Sequence, residues 1–284
     1  MQFIHKKNVQ GGIEMLGAIV GDIVGSRFEW NNIKTKDFNL FTVNCFATDD
    51  SIMTLAIAKA LLGYKHGEYD KLRQDTVKAM IEVGRPYPDS GYGKGFFKWL
   101  YGNEQKPYNS CGNGSAMRVS PVAYVAKTLD EVKQMSLAVT DISHNHPEGI
   151  KGAEATAIAT FLALNGATKD EIRQYVLQNY YDFPYTVDEI RPTYQFEGTC
   201  QMTVPQALVA FWDSTDFEDA IRNAISIGGD SDTVASITGA VAGAYYGVPH
   251  KIGIAAELYL DERLNSILDR FKQLVRDNKT AVDK

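Results

Sequence analysis

Cysteine is scarce in this chain: Cys45, Cys111 and Cys200 are an odd number, widely spaced and without a CxxC pair. That pattern argues against a disulfide framework and a structural zinc site, and it fits a reducing cytoplasm. No apolar run reaches the roughly 18 to 20 residues of a membrane span, and the opening MQFIHKKNVQGG lacks the apolar centre of a signal peptide. A soluble, unexported, cytoplasmic protein is therefore expected. A basic run or Arg-rich stripe is also missing, and the formal net charge is −6, so stable nucleic-acid binding is not expected. Small ligands or modified proteins are the better candidate partners. Alternating β-branched runs are scarce too, with only Tyr185–Ile190 and Thr193–Phe196 ambiguous. With 44% of its 284 residues hydrophobic, the chain is expected to be all-α, with a sizeable core and no need of staples.

Helical spacing is what the sequence has instead. It recurs over Gly17–Gly25, Asp50–Leu62, Asp70–Val83, Gly95–Tyr101, Ser120–Ala126, Leu129–Thr140, Pro147–Leu164, Lys169–Gln178, Pro205–Trp212, Phe217–Ser226 and Asp232–Tyr246, with two more helices between Ile252 and Arg276. Pro121, Pro147 and Pro205 suit first helical turns, while Gly63, Gly166 and Gly247 suit helix ends. Residues 1–14 read as a loose N-terminal tail, and residues 15–284 as one domain without linker, repeat or low-complexity segment.

Two of these helices carry acids where a buried helix should not need them. GGDSDTVASITGAVAGAYYG places Asp230 and Asp232 at the start of a stretch of small and apolar residues, and ATDDSIMTLAIAKALLG does the same with Asp49 and Asp50. Capping explains one Asp at one helix start, because its carboxylate accepts an orphan backbone N–H bond. A second carboxylate beside it adds only repulsion, which burial strengthens. If the two starts converge, the four acids require protons or cations. With Thr48 and Thr233 beside them the donors are all oxygen, a set that selects Mg²⁺, Mn²⁺ or Ca²⁺ over zinc, and two ions would balance four carboxylates.

Three further segments carry chemistry more weakly. SCGNGSAMRVSPVAYVA could cradle an anion with the backbone N–H groups near Gly112 and Gly114 and with Arg118, or it could be a structural turn. SHNHPEGIKGAEATA presents His144 and His146 before a helix; no other nitrogen or sulfur ligands accompany them, so capping or hydrogen bonding suits them better than zinc. In GAIVGDIVGSRFEW, Asp22 and Glu29 flank a small-residue helix and turn. Glu29 is either a surface charge between anchoring aromatics or, near a metal pair, the extra carboxylate for moving a proton. Aromatics between Gly84 and Asn109, among them Tyr92, Phe96 and Trp99, either wall a substrate site or pack the core.

Taken in order, GAIVGDIVGSRFE, ATDDSIMTLAIAKAL, GNGSAMRVSPVA, SHNHPEGIKGAEATA and GGDSDTVASITGAVAGAYYG resemble the ADP-ribosylglycohydrolase family. The resemblance implies a compact all-α orthogonal multi-helix bundle carrying two Mg²⁺ or Mn²⁺ ions. It implies hydrolysis of the glycosidic bond between ADP-ribose and an acceptor, such as a protein arginine. On this resemblance Thr48, Asp49, Asp50, Asp230, Asp232 and Thr233 are the metal residues, and Glu29, Asp49 and Asp232 the catalytic ones. Asn113, Gly114, Ser115, Arg118 and His144 match the substrate site, and Asp22 a supporting aspartate behind the metal residues. The partner expected is ADP-ribose or an ADP-ribosylated protein. Ser231 stands where many members have Thr, and the 18 residues between Glu29 and Thr48 are fewer than in several eukaryotic members. A scaffold can keep its site and lose its reaction, so a metal- and ADP-ribose-binding protein is the alternative, as is a hydrolase of another ADP-ribose conjugate.

Overall fold

The computed structural model describes residues 15–282; the expected tail at residues 1–14 lies outside them. In chain order the helices are α1 (Leu16–Gly25), α2 (Asp49–Leu61), α3 (Tyr69–Gly84), α4 (Lys94–Tyr101), α5 (Gly114–Met117), α6 (Pro121–Val125), α7 (Leu129–Thr140) and α8 (Pro147–Leu164). They continue as α9 (Lys169–Asn179), α10 (Val187–Ile190), α11 (Cys200–Trp212), α12 (Phe217–Ser226), α13 (Ser231–Tyr246), α14 (His250–Glu257) and α15 (Glu262–Val282). Among the described residues there is no strand, only one antiparallel bridge between Gly112 and Thr199. The ambiguous Tyr185–Ile190 segment contains α10, whose Thr186 and Glu189 form a capping box.

Helix α13 is the centre of the molecule, packed against α1, α8, α11 and α12. Every residue from Ser231 to Ala244 is buried, because small side chains let neighbouring helices close around it on all sides. The tightest approach is to α1. An added Cβ on Gly17 would lie 2.0 Å from the Gly239 carbonyl oxygen, on Gly21 2.0 Å from that of Ala235, and on Gly25 2.6 Å from the Asp232 Cα. Glycines four apart line one helix face, so α1 and α13 meet backbone to backbone along that stripe. This crossing carries Asp22 on α1 to the start of α13. Helix α2 packs on α1 and α3 and brings the second acidic start to the same place.

Most expected ends shift by a residue or two, and two differ by more: the last helix runs to Val282, past the expected Arg276, and α11 starts early. Pro205 lies inside α11, which begins at Cys200. The start is set by the bridge: Thr199 pairs with Gly112, and the Cys200 N–H donates to the Cys111 carbonyl at 2.9 Å. A long-range contact thus overrides the local proline signal. Among the described residues, no helix is long and apolar enough to cross a membrane.

Candidate active site

The start of α2 shows what its acids are not doing. The Asp49 N–H donates to the Ser90 carbonyl at 2.8 Å, the Asp50 N–H to the Thr48 hydroxyl at 3.2 Å, and the Ser51 N–H to Asp22 Oδ2 at 3.1 Å. The orphan donors of the first turn are all satisfied without the carboxylates of Asp49 and Asp50. At α13, Asp230 stands at the N-cap position yet its side chain caps nothing. Asp232 Oδ1 accepts the Thr233 N–H at 2.9 Å, which leaves its other oxygen and the Asp230, Asp49 and Asp50 carboxylates unexplained by capping.

Asp22 does the capping from α1. Its carboxylate accepts from the Thr48 N–H at 3.0 Å, from the Thr48 hydroxyl at 2.6 Å, and from the N–H and hydroxyl of Ser51. Ser51 carries no stronger local signal than a hydroxyl three positions after Thr48. Asp22 thereby orients the α2 start, as expected of a supporting residue, but it also stands among the acids it orients. Oxygens of Asp22, Asp50 and Asp232 lie within 4.8 Å of one another, as do oxygens of Glu29, Asp230 and Asp232. Two carboxylate triads thus meet at Asp232. Thr233 donates its hydroxyl to Asp50 Oδ2 at 3.2 Å, while Asp50 Oδ1 is buried and has no hydrogen-bond partner among the described residues. Asp49 belongs to neither triad and lines the cavity in front of them.

Burial sets the electrostatics. It raises Asp49, Asp50 and Asp232 well above the ordinary carboxylate range, and the neighbouring acids push further in the same direction. Asp22 is pushed up to about 6 by burial, against the opposing hydrogen bonds from Ser51 and Thr48. Glu29 rises to about 7, from burial first and the charge of Asp230 second. The folded chain therefore holds protons at pH values where an unfolded chain has released them, and metal-free stability rises as pH falls through this window. In chelator, the protein is expected to melt at least about 3 °C higher near pH 5.5 than near pH 8, and divalent ions are expected to flatten that trend. Thermal melts across the range check it; a metal-free melting temperature that rises with pH would contradict the repulsion.

Above the acids lies a cavity of about 420 Å³. Gly112, Asn113 and Gly114 form one wall, with Arg118, His144, Phe96 and Tyr108 behind it. An added Cβ on Gly112 or Gly114 would meet His144 Nε2 at 3.5 or 3.4 Å, so the glycines leave that nitrogen room. Burial, and then the charge of Arg118, hold His144 well below its ordinary value, so the ring is neutral. Arg118 is 1% exposed. It donates from Nη2 to the Ser143 hydroxyl at 2.7 Å, while its Nε and Nη1 have no hydrogen-bond partner among the described residues. Phe96 lies under the guanidinium at 5.1 Å, so the Gly84–Asn109 aromatics serve both core and cavity.

The remaining expected residues divide. Asn113 lines the cavity but spends its amide on Asp230 Oδ2, at 2.8 Å, and on the Thr203 hydroxyl, at 3.2 Å. It holds a carboxylate in place. Ser115 is fully buried and turned away, donating to the Gly149 carbonyl at 2.8 Å and touching Cys200, outside the cavity lining. Thr48 is likewise outside that lining, its hydroxyl occupied by Asp22 and the Asp50 N–H. At the mouth, Trp30 stacks on Phe196 with ring centroids 5.1 Å apart, a contact between distant segments that no local pattern announces.

Comparisons agree with this architecture. A family model described as ADP-ribosylglycohydrolase matches residues 8–280. The chain is similar to the ADP-ribosylarginine hydrolase Tri1 of Pseudomonas putida (strain GB-1), 26% identical over 268 residues that cover 82% of this chain and 70% of that protein. It is similar to the ADP-ribosylhydrolase ARH3 of Homo sapiens, 26% identical over 313 residues covering 82% and 84%. A solved structure titled ADP-ribosylglycohydrolase-related protein complex shares the fold with a TM-score of 0.65 and 21% identity, over 92% of this chain and 96% of that one. Since the family pattern runs through the buried acid-bearing helices and on to α15, the chain belongs to the ADP-ribosylglycohydrolase family, a family of hydrolases.

Proposed function

We propose that residues 15–284 form a divalent-metal-dependent hydrolase that cleaves the glycosidic bond between ADP-ribose and an acceptor, releasing ADP-ribose. Asp50 carries this reading. Its Oδ1 is buried without a partner among the described residues, in a cluster of acids that no described Lys or Arg neutralises by direct contact. An all-oxygen donor set around such an atom fits a hard cation, Mg²⁺ or Mn²⁺. Asp22, Asp50 and Asp232 would hold one ion and Glu29, Asp230 and Asp232 a second, with Thr48, Asp49 and Thr233 beside them. When bound, such ions supply Lewis acidity and lower the pKa of water.

The chain's own residues supply the rest. Glu29, placed on the cavity wall beside Asp230, takes the proton of the attacking water at its carboxylate. Asp49, beside it in the cavity, helps orient that water. The free Nε and Nη1 of Arg118, with backbone N–H groups of the Gly112–Gly114 loop, suit the pyrophosphate of ADP-ribose. Phe96 and Tyr108 offer apolar faces to the sugar or base. As the glycosidic bond breaks the ribose becomes oxocarbenium-like, the water oxygen bonds to its anomeric carbon, and the proton held by Glu29 passes to the departing acceptor, which leaves in its protonated form.

Arg118→Met is expected to weaken ADP-ribose binding at least about tenfold. It is expected to leave the unliganded fold as stable or more so, because it removes two unsatisfied buried donors. Calorimetric titration and melting check both. The test of the whole reading is a panel of arginine-, serine-, O-acetyl- and nucleic-acid-linked ADP-ribose, offered with Mg²⁺, with Mn²⁺ and in chelator. Metal-dependent release from at least one conjugate is expected, with arginine favoured by the name of the Pseudomonas relative. Tight ADP-ribose binding without turnover on any conjugate would make the protein a binder, and undiminished release in chelator would refute the metal requirement.

A further inference from the structure

Two of the carboxylates sit on backbone that has little of its own to hold it. Glu29 follows the short 3-10 turn Ser26–Phe28. Asp230 follows Gly228 and Gly229, whose φ angles of 71° and 78° are left-handed, and its own side chain makes no cap. Glycine adopts that conformation freely, so contacts from outside the loop must decide where Asp230 points.

Asn113 holds the Asp230 carboxylate itself, and Asn32 makes the contacts to the backbone that carries it. The Asn32 Oδ1 accepts from the Gly229 N–H at 2.8 Å. Its Nδ2 donates to the Phe28 carbonyl at 2.7 Å and to the Gly229 carbonyl at 2.9 Å. The Glu29 carbonyl, at 3.1 Å, and the Ser231 hydroxyl, at 3.4 Å, share the same two protons. One amide thus grips both backbone groups of the residue before Asp230 and the consecutive carbonyls of Phe28 and Glu29. The neighbouring contacts run the same way. Lys34 donates to the carbonyls of Tyr194 and Ile227, and Trp30 stacks on Phe196.

We infer that Asn32 is a positioning residue that locks the Glu29 turn to the Asp230 loop, so that the carboxylates of the triad Glu29, Asp230 and Asp232 are set as one unit. This rests on the reading of that triad as a metal site. Glu29 then works as a fixed wall of the centre. Asn32 touches no substrate and acts only through the backbone it holds.

The test compares wild type, Asn32→Ala and Asn31→Ala in the full chain, by calorimetric Mn²⁺ titration, melting in chelator and steady-state kinetics on the conjugate the wild type turns over. Asn31→Ala controls for an exposed neighbour. Asn32→Ala is expected to weaken Mn²⁺ binding and lower kcat by about tenfold each, the effect of removing a group that orients ligands, with KM within about twofold. Its metal-free melting temperature is expected to stay within about 2 °C of wild type, as befits a surface change. Asn32→Asp keeps the acceptor for Gly229 and loses both donors, and it should fall at least as far. Wild-type Mn²⁺ affinity and kcat in Asn32→Ala would overturn the inference while leaving the metal centre standing. Equal losses in Asn31→Ala, or a large fall in the metal-free melting temperature of Asn32→Ala, would also overturn it, as the mark of a general structural role. A wild type that binds no Mn²⁺ would overturn both the inference and the reading beneath it.

Discussion

Asp50→Asn is expected to lower kcat/KM for ADP-ribose release by at least about a hundredfold while leaving the metal-free protein as stable as wild type or more so. The two effects have one cause. Asp50 is 2% exposed, its carboxylate raised well above the ordinary range by burial and then by the charges of Asp22, Asp49 and Asp230. An amide has the shape of the protonated acid, so the metal-free fold loses only a repulsion. The Thr233 hydroxyl can still donate to the remaining oxygen, as it does to Oδ2 at 3.2 Å. What disappears is the negative charge on an oxygen that has no partner among the described residues. Kinetics with saturating Mn²⁺, a Mn²⁺ titration and melting in chelator near pH 8 measure the three consequences. Full activity in a folded Asp50→Asn would remove Asp50 from the reaction, and a large fall in metal-free stability would show its charge to be structural.

The largest effect on the fold is expected from Gly21→Ala. An added Cβ would sit 2.0 Å from the Ala235 carbonyl oxygen, 2.3 Å from its carbon and 2.7 Å from the Ser236 nitrogen. All three are backbone atoms in the buried stretch of α13, so no side chain can swing aside. Helices α1 and α13 must separate, which opens the centre of the core. A loss of more than about 3 kcal/mol is expected, at or beyond the upper end of ordinary overpacking, lowering the melting temperature by about 6 to 12 °C. Gly63→Ala is the control: nothing lies within 4 Å of its added Cβ, and its φ is not left-handed. Urea or thermal unfolding compares the two. Asp22 and Asp232 ride on the helices that would part, so the Gly21→Ala protein that does fold should also bind Mn²⁺ less tightly. A melting temperature within about 2 °C of wild type would mean that the crossing can relax more cheaply than a backbone contact allows.

Much of this protein was legible along the chain, because helices are local. The 3.6-residue spacing, the capping residues and the small apolar bodies of α2 and α13 lie within single segments, and the structure has helices at each of them. The two acidic starts stood out for the same reason: burial could be read from the residues that follow, and more carboxylates than capping needs could be counted. The ordered set of motifs then pointed to the family without any contact being known. The stripe of Gly17, Gly21 and Gly25 was also visible, although its partner on α13 was not.

What the tertiary structure decided is how those segments meet. Convergence of Asp50 with Asp232 depends on a backbone contact between α1 and α13, which lie at opposite ends of the chain. The division of labour at α2, where Asp22 and Thr48 cap and so leave the acids over, required hydrogen bonds from another helix and from the Ser90 loop. Ser115 and Arg118 share one short motif, yet the first turns into the core and the second lines the cavity, because helix packing around Gly149 and Cys200 takes up the serine hydroxyl. Asn32 and Phe196 carry no local signal, since each matters only through a partner far away in sequence. Local chemistry determined which helices form and which residues could serve a site; the long-range close packing of α1, α2 and α13 decided which of them stand together.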